Sequence, residues 1–246
     1  MMAIATAAGW RIGSFSALLS GAAHEQAALD HDARALPAAE IGAPGSESEA
    51  AWGAPRAAAD SAAIADDDIL RFPRGPVAGD CLHAVFERID FTAPEGWEAA
   101  IAAALADHPQ CMPTAADASH LPRMLRRMLD DVLATPLLTD GASMLRLDSL
   151  PTARRLVELG VHLPAPRLSA AALNAWLAAR GYRVPRLAFA ELSGYLKGYV
   201  DLVFEHDGRY WVLDWKSNLI GDGIEDYAPP RLEVAMQAHG YHLQHL

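Results

Sequence analysis

The stretch "GYVDLVFEHDGRYWVLDWKSN" (residues 198–218) decides how this chain is read. Two apolar runs flank Asp207-Gly208, a dipeptide suited to the two-residue turn of a β-hairpin. Strands this apolar belong in a core, yet they carry Asp201, Asp214 and Lys216, and unpaired charge in a core is costly. Side chains alternate along a strand. Asp214 and Lys216 therefore share one face with Tyr210 and Val212, and Trp211, Leu213 and Trp215 take the other. Pairing about Asp207-Gly208 brings Asp201 opposite Asp214. Two carboxylates and an ammonium then meet at one end of the sheet. Close carboxylates repel unless one raises its pKa or a cation sits between them. A hard divalent cation suits such oxygen ligands, and a neighbouring lysine can orient or help deprotonate its water, as metal-assisted phosphodiester hydrolysis requires. A structural ion pair of Lys216 with Asp214 or Asp201 fits the same spacing, and spacing alone leaves both readings open.

Outward from the hairpin, "GPVAGDCLHAVFERIDF" (75–91) has Leu82, Val85, Phe86 and Ile89 at helical spacing. Further helices are expected over 96–106 and 121–134, the second with Pro122 in its first turn and Pro136 just past its end. "ARRLVELGVHLP" (153–164) alternates Leu156, Glu158 and Gly160 against Val157, Leu159 and Val161, a strand pattern. Residues 169–180 predict a helix with Ser169 as N-cap, and a last helix runs from about 230 to 246 with no evident stop. The order of helices, strand, helix, hairpin and helix predicts an α/β domain with a small mixed sheet flanked by helices. Residues 1–68 read as an N-terminal segment and flexible linker, and 69–246 as the globular domain. Residues 21–68 are rich in Ala, Gly, Pro, Ser and acid, and Asp66, Asp67 and Asp68 read as a solvated run.

The net charge of −11 argues against tight, autonomous DNA binding, which draws its affinity from basic surface. It leaves room for a metal-dependent nuclease, whose site needs carboxylates. The two cysteines, Cys81 and Cys111, have no CxxC neighbour and read as small buried hydrophobes in a reducing cytoplasm. No apolar run is long enough to span a membrane, and "MMAIATAAGWRIGSF" lacks the basic start of a signal peptide. There is no G-x-x-x-x-G-K-[ST] loop for ATP. Arg123, Arg126 and Arg127 form a basic helical stripe that suits either DNA phosphates or local acids.

The hairpin resembles the nuclease-domain signature of the RecB family, the beta subunit of the RecBCD helicase–nuclease (exodeoxyribonuclease V), a branch of the PD-(D/E)xK nuclease superfamily. "KGYVDLVF" and "LDWKSN" carry the two Asp and the Lys. "GDCLHAVFERIDF" resembles the family's G-x-x-x-H-x-x-F-E helix, "SFSALLSG" the segment opening the domain, and "AMQAHGYHLQHL" its downstream helix. The resemblance implies a DNA nuclease domain dependent on Mg²⁺, with Mn²⁺ or Ca²⁺ as substitutes. His83, Asp201 and Asp214 would be metal ligands, joined by the backbone carbonyl of Trp215, and Lys216 the catalytic lysine. Glu158 matches an acidic position beside the site, although an outer-face carboxylate fits its alternation equally. Lys197 could touch a phosphate or be solvated. Gln237 and Tyr241 give a Q-x-x-x-Y pattern for the substrate backbone, one turn apart on the last helix. Gln244 competes as its start, with a Tyr partner falling beyond Leu246, so the last helix is expected to be cut short. The implied substrate is single-stranded DNA fed by a helicase, with other subunits of a RecBCD-like complex as partners in double-strand break repair and recombination. The rival expectation is a non-catalytic interaction module of such a complex.

Overall fold

The computed structural model describes residues 11–14, 18, 64–112, 114–137, 144–189 and 191–245. Of the expected linker over 21–68, residues 21–63 lie outside the described residues, as does most of "SFSALLSG". Among the described residues, five helices, α1 (Pro76–Arg88), α2 (Trp97–Asp107), α3 (Ala115–Ala134), α4 (Ala170–Ala179) and α5 (Pro229–Ala238), accompany four strands, β1 (Arg11–Gly13), β2 (Arg155–Leu168), β3 (Leu192–His206) and β4 (Arg209–Leu213). The sheet is mixed, as expected: β1 runs parallel to β3, β4 antiparallel to β3, and β2 lies beside β3. No helix among the described residues is long and apolar enough to cross a membrane.

The chain divides into two compact units. One comprises Gly160–Tyr199 and Tyr227–Leu246 with Met1–Arg34; the other comprises Ala35–Leu159 and Val200–Asp226. The second unit holds the larger core. α3 lines it with Leu121, Leu125, Leu129 and Leu133, one every turn, against Val85 of α1, Ile101 of α2 and Leu202 and Phe204 of β3. The first unit has its own smaller core of Leu18, Ala165, Leu177, Leu187, Phe189, Leu192, Leu196 and Leu243.

Local chemistry explains most boundaries. Ser169 caps α4 by accepting from the Ala172 N–H at 3.1 Å. The hairpin turns on Asp207 (φ 51°) and Gly208 (φ 71°), both left-handed, as a two-residue type I′ turn demands. The ladder pairs His206 with Arg209 and ends at Leu202 with Leu213.

Four expectations need correction. α3 begins at Ala115, so Pro122 lies inside it rather than in its first turn. The preceding "AADASH" holds no breaker, and the helix tolerates the loss of one main-chain hydrogen bond at the proline. The last helix does not run to Leu246: α5 stops at Ala238, and Gly240 at φ 68° provides the left-handed stop before a 3₁₀ segment, Tyr241–His245. The second hairpin strand ends at Leu213, before Asp214. The acidic run is not simply solvated either, since Asp67 and Asp68 pair with Arg127, and Asp68 accepts the Leu70 N–H at the start of a 3₁₀ turn.

Leu125 is fully buried in the larger core. Leu125→Ala should cost about 2–5 kcal/mol in urea unfolding, whereas exposed Arg123→Ala on the same helix should stay within about 0.5 kcal/mol of wild type.

Candidate functional site

Asp201 is the one charged residue buried among the described residues, at 8% exposure. It sits one residue beyond the last pair of the hairpin ladder, Leu202 with Leu213, and that position explains its contacts. Past Leu213 the chain leaves the sheet, and the Trp215 N–H, which has lost its strand partner, donates to Asp201 Oδ2 at 2.6 Å. The carboxylate thus satisfies a backbone donor that the sheet no longer does.

α1 approaches the same segment through one stripe. Gly79, His83 and Phe86 are spaced four and three residues apart and face one way. A Cβ at Gly79 would meet Ser217 Oγ at 2.9 Å, so glycine permits the close approach. The Phe86 ring stacks on Trp215 with centroids 4.1 Å apart and planes 13° from parallel. Between them, His83 Nδ1 lies 3.7 Å from Asp201 Oδ1.

The third group comes from β2. Glu158 has φ 53°, a left-handed conformation that a non-glycine residue adopts at a cost of about 1–3 kcal/mol. It breaks the strand's alternation. Leu156 is exposed, while Val157 packs on the core and Glu158 is itself half-buried. Strict alternation puts Leu156 and Glu158 on one face; the twist at Glu158 turns its carboxylate inward alone. One ligand atom each from His83, Glu158 and Asp201 lies within 4.8 Å of the others, a group that could hold a metal ion.

Asp214 and Lys216 form a close ion pair, both side chains largely buried. The structural ion pair anticipated for this lysine is therefore present, beside the candidate ligands. Asp214 also acts on its neighbour. Burial first, and the charge of Asp214 second, hold the Asp201 carboxyl above the ordinary carboxylate range; His83, the Trp215 N–H and Lys216 partly offset this. The donors present fit a divalent cation. His83 Nε2 is buried with no hydrogen-bond partner, and a buried carboxylate next to a second one gains by a positive charge.

The remaining expected residues have local partners. Lys197 rests over the Tyr199 ring at 4.9 Å. Gln237 Nε2 donates to Glu233 Oε1 at 3.1 Å within α5, and Tyr241 lies beyond the Gly240 stop, its ring stacked on His239 at 5.4 Å. Gln237 and Tyr241 are thus not one turn apart on a helix, because the backbone reverses its handedness between them. Two arginines of the stripe meet acids, Arg126 pairing with Asp130 and Arg127 with Asp67, Asp68 and Asp131, while Arg123 lies 3.1 Å from His120 Nδ1. Cys81 and Cys111 are both free and buried, and burial first, with the neighbouring Cys111 second, pushes the Cys81 thiol up to about 12. Trp211, Leu213 and Trp215 pack against the core while Tyr210 and Val212 are exposed, as the hairpin faces require.

Asp201 provides a direct check on this electrostatic picture. A carboxyl whose folded pKa is raised favours folding only while protonated, so its penalty grows as pH rises above the unfolded value of about 3.9. In EDTA, Asp201→Asn should therefore melt at or above wild type, with the difference widening from pH 4 to 7. Mg²⁺ or Mn²⁺ should raise the melting temperature of wild type and not of the variant. A variant less stable than wild type in EDTA at pH 7 would count against carboxylate repulsion at the site.

No family model matches the chain. Among curated proteins it is similar to the RecBCD enzyme subunit RecB of Escherichia coli (strain K12), with 33% identity over 197 residues, covering 76% of this chain and 16% of that protein. It is also similar to the subunit of the same name from Mycobacterium tuberculosis, with 32% identity over 212 residues, covering 77% of this chain and 19% of the relative. A shorter match, 38% over 60 residues, joins 24% of this chain to 5% of the Haemophilus influenzae subunit. The chain therefore spans less than a fifth of the length of these curated relatives. With a mixed α/β fold and this sequence similarity, the chain is a RecB homologue that matches part of that subunit, consistent with a RecB-type nuclease domain.

Proposed function

We propose that the chain is a Mg²⁺-dependent nuclease domain that hydrolyses DNA phosphodiester bonds, acting on single-stranded DNA fed by a helicase within a RecBCD-like recombination and repair complex. The observation that carries this reading is the convergence of His83, Glu158 and Asp201 within 4.8 Å, beside the Asp214–Lys216 pair. The rest of the proposal follows from what each group can do.

A divalent cation bound there supplies Lewis-acid chemistry, making water acidic and offsetting charge on a phosphate oxygen. His83, Glu158 and Asp201 would hold it, and Asp214 and the backbone carbonyl of Trp215 complete an oxygen-rich set in this reading. Asp201 enters that role with its orientation already fixed by the Trp215 N–H. Lys216 is a donor rather than a ligand: its Nζ carries positive charge to where negative charge develops on phosphorus oxygens, and it can hand a proton to the departing oxygen. Asp214 keeps that ammonium in place until a phosphate competes for it. The Phe86–Trp215 stack fixes α1, so the His83 imidazole does not depend on the cation for its position. Lys197, Gln237 and Tyr241 remain proposed backbone contacts for the substrate, each judged only by assay.

A non-catalytic interaction module is favoured by one observation, the net charge of −11. Degradation of single-stranded DNA separates the two readings. The wild type should be active in Mg²⁺ and silent in EDTA. Asp214→Ala and Lys216→Ala should each lower the rate by about 10²–10³-fold, the range for removing a transition-state stabiliser, with folding unchanged by circular dichroism. Glu158→Gln should lower activity and weaken the thermal shift given by the cation. A wild type as inert as Asp214→Ala across Mg²⁺ and protein concentrations leaves the interaction module standing.

A further inference from the structure

The first unit carries an aromatic–cationic ladder that the metal site does not use. α4 ends at Ala179, and Gly181 at φ 76° turns the chain back. The Tyr182 N–H then donates to the Leu177 carbonyl at 3.1 Å. Asn174 clamps the returning segment in both directions. Its Nδ2 donates to the Leu187 carbonyl at 2.8 Å, and the Leu187 N–H donates to its Oδ1 at 3.0 Å. Leu177 and Leu187 are buried beneath. This framework lays the Tyr182 ring parallel to Trp176, with centroids 6.2 Å apart and planes 8° from parallel. The Arg180 guanidinium lies over the Trp176 ring at 3.9 Å, and His242 adjoins Tyr182 at 6.1 Å.

Trp176 and Tyr182 are 38% and 36% exposed. Two large rings are thus held in a fixed parallel array at the surface, where packing alone would favour covering them. The surrounding charge says what could cover them. Residues 160–199 contain Arg167, Arg180, Arg183, Arg186 and Lys197 against Glu191 alone, in a chain whose net charge is −11. All four arginines are exposed, and among the described residues none of them forms an ion pair. In the second unit, by contrast, Arg88, Arg126, Arg127 and Arg146 are each engaged by an aspartate. Parallel aromatic rings with flanking, unneutralised arginines match a polyanion whose units carry flat π-faces.

We propose that the Arg180–Trp176–Tyr182–His242 ladder is a stacking platform for single-stranded DNA, with Arg183 and Arg186 meeting its phosphates. The choice of DNA over RNA rests on the nuclease reading; the stacking does not. Every base presents a π-face, so the platform accepts any sequence, and its pre-set geometry limits the ordering cost of binding.

The test is fluorescence anisotropy of the full chain with labelled oligo(dT) in EDTA, where no cleavage is expected. Trp176→Ala and Tyr182→Ala should each weaken binding about 5- to 150-fold, the range of one base stacked on an aromatic ring. Trp176→Phe should keep most of the affinity. Wild type should bind an oligonucleotide with abasic sites more weakly by a similar factor, and Trp176→Ala should then add little. The abasic comparison on wild type needs no variant to fold. Arg183→Ala or Arg186→Ala should flatten the salt dependence by about 0.7 in slope for each phosphate no longer neutralised. Equal affinity for abasic and intact strands, or ring variants that bind like wild type, overturns the platform. Stronger, ladder-dependent binding of oligo(U) than of oligo(dT) overturns the assignment to DNA. Ladder-dependent binding by a chain inert in the Mg²⁺ assay overturns the nuclease reading alone, and normal cleavage with ladder-independent binding overturns this proposal alone.

Discussion

Trp215 is the point on which the second unit's candidate site depends. Its ring stacks on Phe86, fixing α1 against the end of the hairpin. Its backbone N–H donates to Asp201, fixing the buried carboxylate. One residue thereby sets the relation between the helix that bears His83 and the strand that bears Asp201. Both interactions follow from where the ladder ends. Because pairing stops at Leu202 with Leu213, the N–H two residues later needs an acceptor, and Asp201 is within reach. The charge that looks misplaced in a core strand is partly an answer to the strand's own termination.

That carboxylate is nonetheless under tension from burial and from Asp214, which raise its pKa. Lys216 answers Asp214 but offsets only part of the repulsion at Asp201. A site left in this state gains free energy from a cation, whereas a purely structural ion pair is complete once Lys216 meets Asp214. The buried, unpartnered His83 Nε2 points the same way, since a histidine kept only for packing would ordinarily find a donor or acceptor.

What the sequence discloses, and what it hides, follows one physical division. The hairpin, its register and its two faces are legible because Asp207-Gly208 dictates the turn and alternation dictates the rest. The Ser169 cap is legible for the same reason, since it depends on residues within one turn, whereas Gly79 and His83 stand out only through the resemblance of "GDCLHAVFERIDF" to the family's helix. Glu158 is only half legible. Its type and position suggest a site carboxylate, but its left-handed backbone is imposed by surroundings, and alternation alone puts it on the face of the exposed Leu156. Gly240 is legible in principle, as a glycine at a helix end, but the helical pattern of apolar residues continues past it and masks the stop. The ladder of Trp176 and Tyr182 could not be read, since it depends on Asn174 reaching thirteen residues ahead to Leu187.

The net charge shows why averages mislead here. A value of −11 argues against a surface for DNA only if charge is spread evenly, and it is not. The acids of the second unit engage arginines along α3 and at the C-terminal end of α1, and others gather where the proposed cation would answer them. Residues 160–199 hold a single acid among five cations. Screening makes local charge the relevant quantity, because beyond about 8–10 Å at moderate salt a phosphate no longer senses distant carboxylates. An acidic chain can therefore bind a polyanion, provided its basic residues are clustered and unneutralised. In this protein those conditions meet at the segment that also presents two parallel rings.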